Sequence, residues 1–178
     1  MIWLSNSTLA RLRDQLRTGG QRPSIALRDP TKISPDAAEL LAATVEYGAL
    51  CEAMYLMMSA DGHITDDERQ VLRGALRSLS NDSIRSAHID AMLDTAARKA
   101  GEQGREARLQ DVIAELRDDP ARAEVAFVLA SAIAFADNAI ADEENETLSQ
   151  FADGLGIDEG RADELLDSVE ADLAERAT

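Results

Sequence analysis

One nine-residue pattern occurs twice in this chain, and no other sequence feature limits the fold as strongly. The run from Ala60 to Glu68 returns from Ala136 to Glu144, with Ala-Asp first, then Ile, then acids. Asp61 and Asp137 are 76 positions apart, and the same spacing holds without a gap for further identical pairs. These pairs are Ile64/Ile140, Glu68/Glu144, Leu72/Leu148, Leu79/Leu155, Asp82/Asp158 and Arg85/Arg161. Such a repeat implies a duplicated helical unit.

Composition predicts an all-α chain. The 178 residues are 45% hydrophobic but only 3% aromatic, so Ala, Leu, Ile, Val and Met must build the core. Only four prolines interrupt the sequence, and no convincing run of alternating β-branched residues occurs. Ala-rich and Leu-rich sequence of this kind favours closely packed helices, and the length suits one domain.

The charge and the lack of targeting signals predict a cytoplasmic protein that does not span a membrane. A net charge of −16 argues against binding to the phosphates of DNA or RNA and favours cations or basic partners. Cys51, on an apolar helix face, is the single cysteine and fits a reducing compartment and the core. The longest nearly unbroken apolar run, Val125 to Ala136, is shorter than the ~20 residues that cross a bilayer. A helix that is apolar nearly all round in this way should be central and surrounded by other helices.

Proline and cap signals divide the chain into helices. Ser34-Pro35 and Asp119-Pro120 each combine a capping residue with proline at the first helical position. They predict two three-helix units, 34–100 and 119–176, joined by a helix over 105–117 that has no counterpart in the second unit. The two central helices, each ending in an Ala-Asp turn, should pack face to face.

The predicted fold is a compact bundle of about seven helices, preceded by a short N-terminal helix. We assign residues 1–33 to that helix and a linker, and residues 34–178 to the helical domain. The leading helix is expected to dock either on the domain or on a partner. Within the domain, Asn81 to Ser83 should cap a helix from Ile84, and Gly48 should mark a close helix–helix approach.

Other polar residues are assigned structural roles. His88 lies mid-helix near Met92 and is expected to be packed rather than catalytic. A group of arginines is expected on a solvated face opposite the two acidic turns, as we call residues 60–68 and 136–144, namely Arg105, Arg108, Arg117 and Arg122. Two histidines and one cysteine leave little material for a catalytic triad or a zinc site, so we expect no enzyme.

The acidic turns have one interpretation that needs no ligand. Gly62 and Asn138 are the residue types that best tolerate positive φ at the end of a helix. Thr65 and Glu68 have the spacing of a capping box, in which each side chain accepts from a first-turn amide. Acids at a helix N-terminus also complement the helix dipole. On this interpretation the turns only end one helix and begin the next.

A second interpretation is a site for a hard cation. Asp61 and Asp137 lie at helix C-termini, where the dipole disfavours a carboxylate, and this happens at both copies. Asp61, Gly62, Ile64 and Glu68 have the spacing of positions 5, 6, 8 and 12 of an EF-hand loop. A full EF-hand is excluded because positions 1 and 3 lack carboxylates in both copies. Those positions hold Met57, Ser59, Ile133 and Phe135.

What remains is half of a calcium-type site in each copy. The predicted ligands are Asp61 and Glu68 in the first turn and Asp137 and Glu144 in the second. The neighbouring acids are secondary candidate ligands, namely Asp66, Asp67, Asp142 and Glu143. His63 would add a nitrogen ligand.

The motif Ala60-Asp61-Gly62-x-Ile64-x-x-x-Glu68-x-x-x-Leu72, repeated from Ala136 to Leu148 before Leu155-Gly156-Ile157, resembles the tellurite-resistance TerB family. It is also similar to the TerB-like domain of DjlA-type membrane co-chaperones. The resemblance covers roughly residues 36–172, and Asn138 departs from the usual second-copy glycine. It implies a compact helical fold without established enzymatic activity.

The resemblance also implies a function. Divalent cations (Ca²⁺, Mg²⁺ or Mn²⁺) would bind the two turns in a metal-linked stress response. Partners would be other products of a tellurite-resistance cluster, including a membrane protein contacted from its cytoplasmic side, which would hold the chain peripherally at the inner membrane. The alternatives are an adaptor domain whose acids only cap helices, and a hydrolase with paired carboxylates, which would need a deep cleft.

Overall fold

The computed structural model describes residues 3–19, 32–59, 64–136 and 142–177. Over these ranges the chain forms α-helices and no strand, which confirms the all-α class. The described helices pack as one compact bundle. They are α1 (Asn6–Gly19), α2 (Pro35–Met58), α3 (Asp66–Leu79), α4 (Ser86–Gln103), α5 (Arg105–Leu116), α6 (Pro120–Ala136), α7 (Asp142–Leu155) and α8 (Glu159–Ala177).

The two central helices begin at the proline signals. Ser34 is the N-cap of α2, and its hydroxyl accepts a hydrogen bond of 3.2 Å from the amide of Ala37. Asp119 has the same role for α6, where Oδ1 accepts from the amide of Ala121 at 3.1 Å. Proline fits the next position because the first amides of a helix have no intrahelical partner.

The predicted start of α4 is wrong. Helix α4 begins at Ser86, and its N-cap, Arg85, makes no capping hydrogen bond with its side chain. Asn81 and Asp82 both have positive φ, at 54° and 58°, and belong to the end of α3. There the amide of Asp82 donates to the carbonyl oxygen of Arg77 at 2.7 Å, a bond that closes a helix C-terminus. Asn and Asp tolerate this conformation, so the same residues that suggest an N-cap end the preceding helix.

Helix α6 is surrounded by other helices, as its apolar sequence predicts. Every residue from 125 to 133 is buried. Ser131, the polar residue in that run, donates its hydroxyl to the carbonyl oxygen of Phe127 at 2.8 Å. Helix α6 packs against α2, which confirms that the central helices of the two units lie face to face.

Helix α5 has a counterpart, contrary to the prediction from sequence. It packs against α2 and α7, whereas α1 packs against α6 and α3. Because α2 corresponds to α6 and α3 to α7, α1 and α5 occupy equivalent places in the two units. The repeat was not visible there because the two helices share the requirement for an apolar stripe rather than identical residues.

The N-terminal helix docks on the helical domain. Leu4, Leu9 and Leu12 are buried in the common core. The carboxylate of Asp172 on α8 accepts hydrogen bonds from the amide of Ser5 at 2.8 Å and from the hydroxyl of Thr8 at 2.7 Å. Burial opposes ionisation of this carboxylate, but the bonds from Ser5 and Thr8 outweigh it and lower its pKa.

Among the described residues, helix α2 is long and apolar enough to cross a membrane by length and composition alone. Its 18-residue window has a mean hydropathy of 1.2, and 56% of that window is buried inside the bundle. The apolar character of α2 is therefore accounted for by its contacts with α4, α5 and α6.

Candidate functional site

The first acidic turn leads into α3 through a complete capping box. Thr65 is the N-cap, and its hydroxyl accepts from the amide of Glu68 at 3.2 Å. Glu68 Oε2 in turn accepts from the amide of Thr65 at 2.7 Å and from its hydroxyl at 2.9 Å. Both hydrogen bonds use one carboxylate oxygen, and Oε1 makes none with a described residue.

For most of the other predicted ligands, the residue or its side chain lies outside the part of the chain that the structure describes. Asp61, Gly62, His63, Asp137 and Asn138 lie outside the described residues. Asp66 and Asp67 are exposed in the first turn of α3. Asp142, Glu143 and Glu144 belong to the first turn of α7, but their side chains are outside the described part. The grouping of these residues into a metal site therefore stays a prediction.

Helices α3 and α7 begin at equivalent positions of the 76-residue repeat. Glu68 is the third residue of α3, and Glu144 is the third residue of α7. The two glutamates thus stand at the same step of equivalent helices, beside first-turn amides that have no partner within the helix and whose partial positive charge favours an anionic side chain. Any ligand that Glu68 meets has a matching carboxylate position in the second unit.

A separate group of metal-ligand residues lies where α2 and α4 begin. One ligand atom from each of Asp36, Glu39 and His88 lies within 4.8 Å of the other two. Arg85 Nη2 already lies among them, in contact with Asp36 Oδ1, 2.7 Å from Glu39 Oε2 and 3.2 Å from His88 Nε2. A guanidinium therefore holds the position that a cation would need.

This arrangement shifts the pKa values of Asp36 and Arg85. The hydrogen bond from His88, followed by that from Arg85, lowers the pKa of Asp36, and the bond to Glu39 raises the pKa of Arg85. His88 is buried, as predicted, with Nε2 at 3.1 Å from Asp36 Oδ1. The three-residue spacing of Asp36 and Glu39 is visible in the sequence. Only the tertiary structure shows that these two acids lie beside the start of α4.

A buried ion pair joins α2, α4 and α5, and sequence reasoning missed it. Glu52 lies in the core, and its Oε1 accepts from Arg108 Nε at 2.7 Å. Its Oε2 accepts from Arg108 Nη2 at 3.1 Å and from Lys99 Nζ at 3.2 Å. The bond to Glu52 raises the pKa of Arg108. The signal in the sequence was a single glutamate within the otherwise apolar stretch from Ala49 to Met58.

The prediction that the arginines form a solvated face is therefore wrong for three of them. Only 12% of the Arg108 side chain is exposed. Arg105 Nε donates to the carbonyl oxygen of Leu56 at 2.7 Å, and Arg122 Nη2 donates to that of Glu46 at 3.0 Å. The methylene groups of a long arginine side chain can cover apolar surface while its guanidinium donates to main-chain carbonyl oxygens. Composition alone does not show which arginines do so. Arg117 is exposed, as predicted.

Cys51 is a core residue, as predicted. It is 1% exposed, and burial raises the pKa of its thiol to about 12. A nucleophilic cysteine requires a thiolate near neutral pH. The protonated, enclosed thiol of Cys51 therefore contributes to packing.

The chain matches a known protein family over most of its length. The family model described as "Tellurite resistance protein TerB" matches residues 48–177, which is well over half of the chain. The match contains both acidic turns and helices α3 to α8. Searches of the curated proteins and of the solved structures found no match.

Proposed function

Since this chain belongs to the tellurite-resistance TerB family, we propose that it binds divalent cations through its two acidic turns and acts through protein partners in a metal-linked stress response. The observation that carries the proposal is the equivalence of Glu68 and Glu144. Each is the third residue of its helix, and each lies seven positions after an aspartate, Asp61 or Asp137.

The chemistry of the turns favours Ca²⁺, Mg²⁺ or Mn²⁺. These ions prefer carboxylate and carbonyl oxygens, which acidic helix-to-helix turns supply. Glu68 offers Oε1 while Oε2 holds the capping box, so metal binding and helix capping are compatible. In each turn the aspartate would be the second ligand, and Asp67 or Glu143 a further one.

A thermal-shift and calorimetric titration with each ion tests this proposal. We expect saturable stabilisation of the wild type and its loss in Asp61→Asn/Asp137→Asn. The matched control is Asp163→Asn/Asp167→Asn, which removes the same charge from exposed positions of α8 and should bind as the wild type does. Equal responses of the two double variants, or no saturable response, would refute cation binding at the turns.

The second candidate function is an adaptor domain without a metal site. The complete capping box favours it, because that box gives Glu68 a role that needs no ligand. Glu68→Gln separates the two functions, since glutamine also serves at this position of a capping box. Cation binding predicts weaker metal affinity with little change in stability, whereas the adaptor function predicts no change in any metal response.

We further propose a cytoplasmic location, peripheral at the inner membrane through a membrane-protein partner of a tellurite-resistance cluster. The net charge of −16 favours a partner with a basic contact surface and disfavours nucleic acid. Binding to such a partner should weaken as salt rises, because exposed charges are screened. We propose no catalytic role for any residue.

A further inference from the structure

A cavity of about 500 Å³ opens between α2 and α4, near the end of α5 and the start of α6. Its apolar lining comes from Leu40, Val45, Ala49, Met92 and Ala96. Pockets that hold small molecules have volumes of roughly 300–1,000 Å³ and combine apolar walls with a few polar groups. The size and lining of this cavity fall in that class.

Gly48 lines the cavity and leaves space at that point. A Cβ at this position would meet only Thr44 of the same helix, with its Cγ2 at 3.3 Å. The expectation that Gly48 marks a close helix approach is therefore wrong, because the glycine faces space. Close approaches occur elsewhere, as at Gly154, where a Cβ would lie 2.9 Å from Ile113 Cγ2.

The second unit fills the equivalent position with a carboxylate. Glu124 stands 76 positions after Gly48. Its Oε2 accepts from Gln15 Nε2 at 2.9 Å, and its Oε1 accepts from Arg161 Nε at 2.8 Å. The bond from Arg161 lowers the pKa of Glu124, so an ionised group closes the gap between α6, α8 and α1. The first unit has no side chain to do this.

The polar groups at the cavity favour an anion. Arg122 lines it, and the buried Nε of Arg122 has no hydrogen-bond partner within the described residues. A buried donor left unpaired is costly, which makes it a strong recognition point for an acceptor. Two lining acids, Glu52 and Glu115, balance the two lining cations, Lys99 and Arg122. Both oxygens of Glu52 are already bonded, to Lys99 and to Arg108, whereas Arg122 makes no bond to a carboxylate within the described residues. A lining cation without a carboxylate partner favours a negative ligand group.

We propose that this cavity binds a small amphiphilic carboxylate. The hydrocarbon part packs against Val45, Ala49 and Met92, and the carboxylate pairs with the guanidinium of Arg122. The ligand thereby supplies to the first unit the carboxylate that Glu124 supplies to the second. The site shares no residue with the acidic turns, so it stands independently of the proposed cation binding.

Calorimetry and amide chemical-shift titration with octanoate test the proposal, with octanol and octylammonium as probes of the same length. We expect octanoate to bind most tightly. Arg122→Met should weaken octanoate by about tenfold or more, the effect of losing one hydrogen bond to a charged group, and leave octanol unchanged. Gly48→Leu should fill the cavity and abolish binding of all three. Ala91→Leu narrows it from α4 and serves if Gly48→Leu does not fold.

Two outcomes would overturn the proposal. Equal affinities of octanoate and octylammonium would show that the cavity does not select an anion. Unchanged octanoate binding in both Gly48→Leu and Ala91→Leu would place any binding elsewhere. Asp61→Asn/Asp137→Asn should bind octanoate like the wild type, which keeps failure of this site distinct from failure of cation binding.

Discussion

Arg122 Nη2 donates a hydrogen bond of 3.0 Å to the main-chain oxygen of Glu46, and the two residues occupy the same position of the 76-residue repeat. A residue that contacts its own repeat equivalent lies close to the axis that relates the two units. The contact joins the N-terminal halves of α2 and α6, so the repeat is centred on this pair of helices. The other helices are arranged around it in equivalent places.

The buried pair of Glu52 and Arg108 provides the first prediction. The repeat places Val128 at the position of Glu52 in the second unit. Glu52→Val should destabilise the fold by about 3 kcal/mol, because it leaves Nε and Nη2 of the largely buried Arg108 without their acceptor, while Nη1 keeps Asp111. Glu52→Val/Arg108→Met should recover most of that loss, since an apolar pair can replace a buried ion pair. Urea denaturation measures both. Equal losses in the single and double variants would contradict the account.

The docking of α1 should depend on pH. In the folded state the pKa of the Asp172 carboxyl is lowered below its ordinary value of 3.8. The hydrogen bonds to this carboxylate therefore stabilise the docked helix at pH values above 3.8, and the stabilisation is lost as the pH falls from 3.8 through the lowered pKa. Trp3, the single tryptophan, packs partly buried against the core and reports on α1. We expect its fluorescence to shift to the red below that pH. Asp172→Asn should show part of the shift at neutral pH, whereas Asp167→Asn should behave as the wild type does.

The capping box gives a matched pair of substitutions. Thr65→Ala should cost about 1 kcal/mol, the usual loss for an N-cap, because the amide of Glu68 loses its acceptor. Ala141 stands at the equivalent position before α7. Ala141→Thr should therefore stabilise the chain, by up to about 1 kcal/mol. Thermal and urea unfolding measure the two effects, and a gain from Thr65→Ala would be incompatible with a stabilising cap.

Alanine substitutions at two helical glycines distinguish the effect of close packing from that of helix propensity. Gly154→Ala on α7 should destabilise the fold by about 1–2 kcal/mol, because the new Cβ would lie 2.9 Å from Ile113 Cγ2 on α5. Gly74→Ala on α3 meets nothing within 4 Å and should stabilise by roughly 0.5–1 kcal/mol. The same chemical change thus has opposite signs. Chemical denaturation gives both values, and a loss of stability in Gly74→Ala would argue against this distinction.

Much of the fold could be predicted from local signals. Ser34-Pro35 and Asp119-Pro120 begin α2 and α6 because a capping oxygen and a proline satisfy the first helical turn whatever packs around it. The apolar run after Val125 predicted a surrounded helix for a similarly direct reason, since a helix that is apolar on all sides needs neighbours on all sides. The start of α4 was mistaken because Asn and Asp suit both ends of a helix.

The sequence by itself determined the helical class, the repeat and the positions of Glu68 and Glu144, because periodicity and capping act over a few residues. Tertiary structure alone decided which polar residues meet. Glu52 and Arg108 are 56 residues apart, and Asp172 and Ser5 are 167 apart. It also decided that the space at Gly48 stays open while Glu124 fills its counterpart. Partner choice depends on which helices pack together, and that is a property of the whole core.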